Sequence, residues 1–152
     1  MTEGKRPGGL TALAVINFVF SGWGLIGLLS LAAFFALIGK IPTDKMQEAQ
    51  KAQMEAFQNA GLPVFIFIFA LSIITNVLLL VSGIGYLKQK KFLGRMIGNT
   101  YAVIAIVSAI VSGMMWPREI GGSFNIATMI GLIYPVVTLI LVNTTFKDDL
   151  TN

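Results

Sequence analysis

The chain contains no cysteine and no histidine. Without Cys there is no disulfide, no thiol redox chemistry and no thiolate-bound zinc or iron–sulfur cluster. Without His, the Ser-His-Asp and Cys-His nucleophilic machineries, His-ligated haem and His-containing zinc hydrolase centres are excluded as well. Charge is the next scarcity: Asp, Glu, Lys and Arg make up 12% of the residues, against about 25% in soluble domains. None of that charge falls in four long stretches, about residues 10–38, 62–87, 97–115 and 124–142.

What fills those stretches is apolar. The whole chain is 55% hydrophobic, with a mean hydropathy of +0.80. A hydrocarbon core roughly 30 Å thick is crossed by roughly 20 helical residues, a length that all four stretches approach or exceed. The expected fold is therefore an all-α membrane protein, with four transmembrane helices in an antiparallel bundle and one domain over all 152 residues. Lys5 and Arg6 precede the first stretch as in a secretory signal. A signal core spans only about 7–15 residues, however, so the much longer 10–38 stretch reads as a retained span.

Short cytoplasmic loops are enriched in Lys and Arg, so counting these residues on alternate sides predicts orientation. One side carries seven, namely Lys5, Arg6, Lys88, Lys90, Lys91, Arg95 and Lys147, while the other carries four, Lys40, Lys45, Lys51 and Arg118. Both termini are thus expected in the cytoplasm. Punctuation matches these boundaries: Gly39 and Pro42 close the first span, Gly61 and Pro63 open the second, and Trp116-Pro117 ends the third. Trp116 and Tyr86 fall where interfacial aromatics are expected.

The one sizeable connection predicts an amphipathic helix over about 43–60 in the first extracytoplasmic loop. Pro42-Thr43-Asp44 supplies a start, and Asp44 with Gln47 has capping-box spacing. Glu48, Lys51 and Glu55 share one face, and Met46, Met54 and Phe57 another. The helix is expected to lie at the outer surface or to continue the first span outward.

Between helices in lipid, contact forms at small residues and through hydrogen bonds. Small residues recur at helical spacing as Ser21, Gly24, Gly27 and Ser30 in the first span, Ala102, Ala105, Ala109 and Ser112 in the third, and Ala127 and Gly131 in the fourth. Helix packing is assigned to Gly24, Gly27, Ala105, Ala109 and Gly131. At helical rise, Asn17 and Asn76 lie at comparable depths from the cytoplasmic end. With Tyr134 and Thr138 they predict a polar cluster in the inner half, joined by Thr75 and Tyr101. Pro135 beside Tyr134 is expected to kink the fourth span. Lys88, Lys90, Lys91 and Arg95 form a basic run suited to topology and to contact with anionic lipid headgroups.

The segment Val81-Ser82-Gly83-Ile84-Gly85-Tyr86-Leu87-Lys88-Gln89-Lys90-Lys91-Phe92-Leu93-Gly94-Arg95, followed by Tyr101-Ala102, resembles a recurrent segment of small uncharacterised bacterial four-span integral membrane proteins. The opening Arg6-Pro7-Gly8-Gly9-Leu10-Thr11-Ala12-Leu13-Ala14-Val15-Ile16-Asn17-Phe18 resembles theirs too. The resemblance implies a bacterial inner-membrane location and no particular activity. Small multidrug transporters depend on an intramembrane Glu, claudin-like proteins on a loop Trp with paired Cys, and quinone-linked thiol oxidoreductases on Cys; none of these is present.

A net charge of +4 spread over loops offers no folded basic surface for nucleic acid, and no residue set calls for a catalytic centre, a cofactor or a metal. Ionisable residues inside a membrane mark coupled transport, and these spans have none. The expected function is therefore non-catalytic: an accessory, assembly or scaffold subunit of a larger membrane complex, acting by contacts with other subunits, with copies of itself and with the lipid bilayer. The alternative is an oligomeric pore or transporter for a small solute or ion.

Overall fold

The computed structural model describes residues 7–37, 40, 47–115 and 126–150, and all its regular elements are helical. In chain order these are α1 (Gly8–Leu37), α2 (Glu48–Leu87), a π-helical turn (Lys91–Met96), α3 (Ile97–Met115) and α4 (Ile126–Asn143). Three helices are long and apolar enough to cross a membrane: Gly8–Leu37, Gly61–Leu87 and Lys91–Met115. A shorter apolar helix, Gly131–Asn143, accompanies them. The features assigned to Lys5, Arg6, Gly39, Pro42, Thr43, Asp44, Lys45, Met46, Trp116, Pro117 and Arg118 lie outside the described residues, as does the side chain of Ala127.

The amphipathic segment does not continue α1. It forms the first limb of α2, residues 48–60, and meets the membrane-length limb at Gly61, whose φ of 79° is open to glycine and strained for other residues. Pro63 follows inside the helix, where its missing N–H falls close to the restart. Gln47 stands at the N-cap itself, without a side-chain capping bond, and Glu48 brings a carboxylate to the helix's positive end. Met54 is buried and the Phe57 ring meets Phe34 of α1 at 5.1 Å, while Glu48, Lys51 and Glu55 are exposed.

Contacts between α1 and α2 fall in a regular ladder. Asn17 meets Ser82, Ser21 meets Asn76, and Phe35 stacks on Phe65 at 3.8 Å, so rising positions on α1 face falling positions on α2. The α2–α3 turn is built by backbone geometry. Lys90 N–H donates to the Gly85 carbonyl and Gln89 N–H to that of Tyr86, with Gln89 at φ 50°, which is a Schellman closure. The turn then folds back so closely that a Cβ on Gly85 would overlap the Gly94 nitrogen and the Leu93 carbonyl carbon. Glycine is required there by space alone.

The densest packing lies at this end of the molecule. Leu10, Leu13, Ala14, Tyr86, Val142, Phe146 and Leu150 form one buried cluster, drawn from α1, α2, α4 and the turn that follows α4. Phe146 N–H closes that turn on the Leu141 carbonyl, and its ring covers Gly9. Tyr86, at the end of the second span, is fully buried among the helices, with its hydroxyl against Gly98 of α3. The nearby Gly98 has no side chain, and that is the space the ring occupies. Along the spans only 11–22% of residues are buried, and large apolar side chains such as Trp23 (78% exposed), Leu29 and Met114 face outward. That surface suits lipid.

Gly85→Ala should cost about 1–3 kcal/mol, because overpacking a fixed backbone contact forces the turn and the helix apart. Gly22→Ala, where a Cβ meets open space, should leave stability unchanged or raise it slightly. Thermal unfolding in mild detergent, followed by circular dichroism, reads both.

Candidate functional site

Polar side chains on α1 and α2 are drawn together because neither lipid nor apolar neighbours can satisfy them. Asn17 is fully buried; its Nδ2 donates to Ser82 Oγ at 2.8 Å and to the Leu79 carbonyl at 3.0 Å. Its Oδ1 accepts from the Tyr134 hydroxyl of α4. One helical turn along, Ser21 Oγ lies 2.6 Å from the Asn76 amide. In the amide orientation that satisfies both ends, Nδ2 donates to Ser21 Oγ and to its carbonyl at 3.2 Å, while Oδ1 accepts from the Leu25 N–H at 3.2 Å. Asn76 reaches that backbone because Gly24 has no side chain; a Cβ there would overlap the amide.

The structure thus joins Asn17 with Tyr134 and sets Asn76 one turn away, each amide with its own serine. Tyr134 packs edge-on against Phe20, with centroids 4.9 Å apart, and Tyr101 is buried nearby at a centroid distance of 6.4 Å. Thr138, one turn from Tyr134, is fully buried, and its Oγ1 makes no hydrogen bond of good geometry among the described residues. Pro135 lies buried inside α4, and the helix continues through it.

Above this ladder a cavity of ≈ 380 Å³ opens between α1, α2 and α3. Its walls include Phe20, Gly24, Leu31, Asn76, Ala105 and Ser108. Ser72 and Thr75 also line it, but each donates its hydroxyl to its own helix, to the Ile68 and Leu71 carbonyls. Ser108 Oγ is buried and unpaired among the described residues. The cavity therefore offers hydroxyl and amide groups on apolar walls, with no acid, base or nucleophile activated by a neighbour.

The other residues picked out for packing divide. Ala105 packs beside the cluster of Leu79, Tyr101 and Ala102, and Ala109 is half-buried on α3. Gly27 and Gly131 are exposed, with nothing among the described residues near where a Cβ would stand, and Gly27 lines the cavity. Lys88, Lys90 and Lys91 are exposed, and Arg95 is half-buried with its Nε donating to Asn143 Oδ1 at 3.3 Å. Asn143 and Asn99 form a reciprocal amide pair, at 2.7 and 3.1 Å, that ties α4 to α3. Sequence reasoning passed over this pair and Ser82. The depth argument used for Asn17 and Asn76 also places Asn99 and Asn143 near one end of successive spans, which was the available signal.

Among the described residues no group of three or more His, Cys, Asp or Glu is placed to hold a metal ion. The arrangement defines a helical protein with membrane-length apolar helices, an internally bonded polar ladder and an open cavity beside it. Comparison with family models, curated proteins and solved structures found no match.

Asn17→Leu should destabilise the protein by about 1–3 kcal/mol, since it removes a buried amide that bonds the Ser82 hydroxyl, the Leu79 carbonyl and the half-buried Tyr134 hydroxyl at once. That exceeds the roughly 0.6 kcal/mol of an average interhelical hydrogen bond. Thr138→Val, which removes an unbonded hydroxyl, should be neutral or stabilising in the same detergent unfolding measurement.

Proposed function

We propose that this chain is an integral protein of the bacterial inner membrane, spanning it four times as an antiparallel bundle with both termini in the cytoplasm. It acts without catalysis, through helix–helix contacts, as an accessory, assembly or scaffold subunit of a larger membrane complex or as a homo-oligomer. The observation that carries this reading is the exposure of Gly131 on α4. A Cβ there would meet open space among the described residues, so the chain's own packing leaves unused a small-residue position at which membrane helices approach each other. The internal polar groups support it too, because Asn17, Ser21, Asn76, Ser82 and Tyr134 are occupied with one another. The 18 residues of α4 are mostly apolar, and the stretch Gly131–Asn143 within it suits a fourth crossing.

A second reading, an oligomeric pore or carrier for a small solute or ion, is favoured by the cavity lined by Ser72, Thr75, Asn76 and Ser108. The two readings separate experimentally. Under the first, gentle detergent extraction and native mass measurement find the chain with a partner or in several copies, and Gly131→Leu reduces that association several-fold without lowering the unfolding temperature. A lone, single copy counts against it. Under the second, vesicles reconstituted with the protein pass small solutes or ions, and Ser108→Leu blocks the flux.

A further inference from the structure

The basic run at the α2–α3 turn does not make one patch. Lys88 and Lys90 stand exposed on the turn, whereas Lys91 and Arg95 line a cleft of ≈ 340 Å³. The rest of that cleft is formed by Lys147, Asp148 and Leu150, from the turn that follows α4. Its size falls within the range of about 300–1,000 Å³ typical of small-ligand sites. Three cations against one carboxylate leave it positive.

Its walls are held in place. Leu150 is 1% exposed and lies over Gly94, and Phe146 is anchored on Gly9, so the segment bearing Lys147 is fixed at both ends. Arg95 is aimed by Asn143, whose Nδ2 bonds to Asn99 and to the Leu139 carbonyl at 2.8 Å. Only the guanidinium Nε is used in this way. Its terminal nitrogens take no partner among the described residues, and their paired N–H groups match two oxygens of a phosphate. Phe92 and Met96, next in sequence to Lys91 and Arg95, are 61% and 55% exposed, an apolar shelf on the turn that bears two of the three cations.

We propose that this cleft binds the phosphate of an anionic phospholipid, with Arg95 gripping it bidentately, Lys91 and Lys147 flanking it, and the acyl chains passing Phe92 and Met96. The shelf is what selects a lipid over free phosphate, which gains nothing from apolar surface. The proposal does not depend on the chain's association with other subunits.

The test uses the full chain in non-ionic detergent, titrated with dioleoyl phosphatidylglycerol, dioleoyl phosphatidylcholine or inorganic phosphate and read by native mass spectrometry. Phosphatidylglycerol adducts should be retained over phosphatidylcholine, with no inorganic phosphate adduct at equal concentration. Lys147→Gln and Arg95→Gln should each weaken retention about fivefold, as expected for one basic residue at a lipid surface. Asp148→Asn should strengthen retention, and Lys88→Gln with Lys90→Gln should leave it unchanged although two charges are lost. Lys147 and Asp148 are exposed, so their opposite shifts carry the test even where Arg95→Gln unfolds. Equal losses from the Lys88/Lys90 pair and from Lys147 would show retention by net charge and overturn the site. Equal retention of both lipids, or an inorganic phosphate adduct matching the lipid's, overturns it as well.

Discussion

Asn17 has no solvent to bond with at its depth in an apolar bundle, and much of the inner packing follows from how that need is met. Its amide takes Ser82 and the Leu79 carbonyl on α2 and the Tyr134 hydroxyl on α4, so one side chain links three helices. An unsatisfied polar group in hydrocarbon costs several kcal/mol, about what is at stake in a marginally stable fold. The register between α1 and α2 is therefore set by polar pairs, with Ser21 and Asn76 repeating the arrangement one turn on. Aromatic stacking carries the same ladder outward through Phe35 and Phe65.

Where hydrogen bonds do not hold the helices, absence of side chains does. Gly24 admits the Asn76 amide, Gly98 admits the Tyr86 ring, and Gly85 admits the backbone of Gly94. The last two approaches lie at the end of the molecule that carries the α2–α3 turn, the end at which Arg95, Asn99 and Asn143 are mounted. The opposite part is looser, with a cavity between α1, α2 and α3. A firm end and an open interior sit in one small chain, which bears on both the contact-based and the solute-based readings of its function.

Some of this was legible residue by residue. Depth counting brought Asn17 and Tyr134 together because helical rise is nearly constant. It placed Asn76 at a depth comparable to that of Asn17, and the two amides sit one turn apart, each bonding the nearest serine, with Gly24 opening the backbone beside Asn76. Tyr86 was legible as a tyrosine at a span end, but not its burial against Gly98, which depends on the fold of α3. Small-residue spacing did not distinguish Gly24, in contact, from Gly27, in open space, because periodicity names a face and not what lies against it. Phe146 and Leu150, four apart in a polar tail, carried a helical-spacing signal for the terminal turn that only their contact with Gly9 and Gly94 makes meaningful.

Scarcity of charge, together with its confinement to connections, was enough by itself to determine that the chain is helical and that three of its helices have membrane length, because hydrocarbon tolerates few alternatives. Cysteine and histidine being absent, whole chemistries were excluded by composition alone. Which amide meets which hydroxyl, which glycine is filled by a neighbour, and that Lys147 comes to stand beside Arg95 were decided only by tertiary structure. The physical reason is range: transfer free energies and helical periodicity act over one segment at a time, whereas a hydrogen bond or a van der Waals contact depends on angstrom-scale placement of segments far apart in the chain.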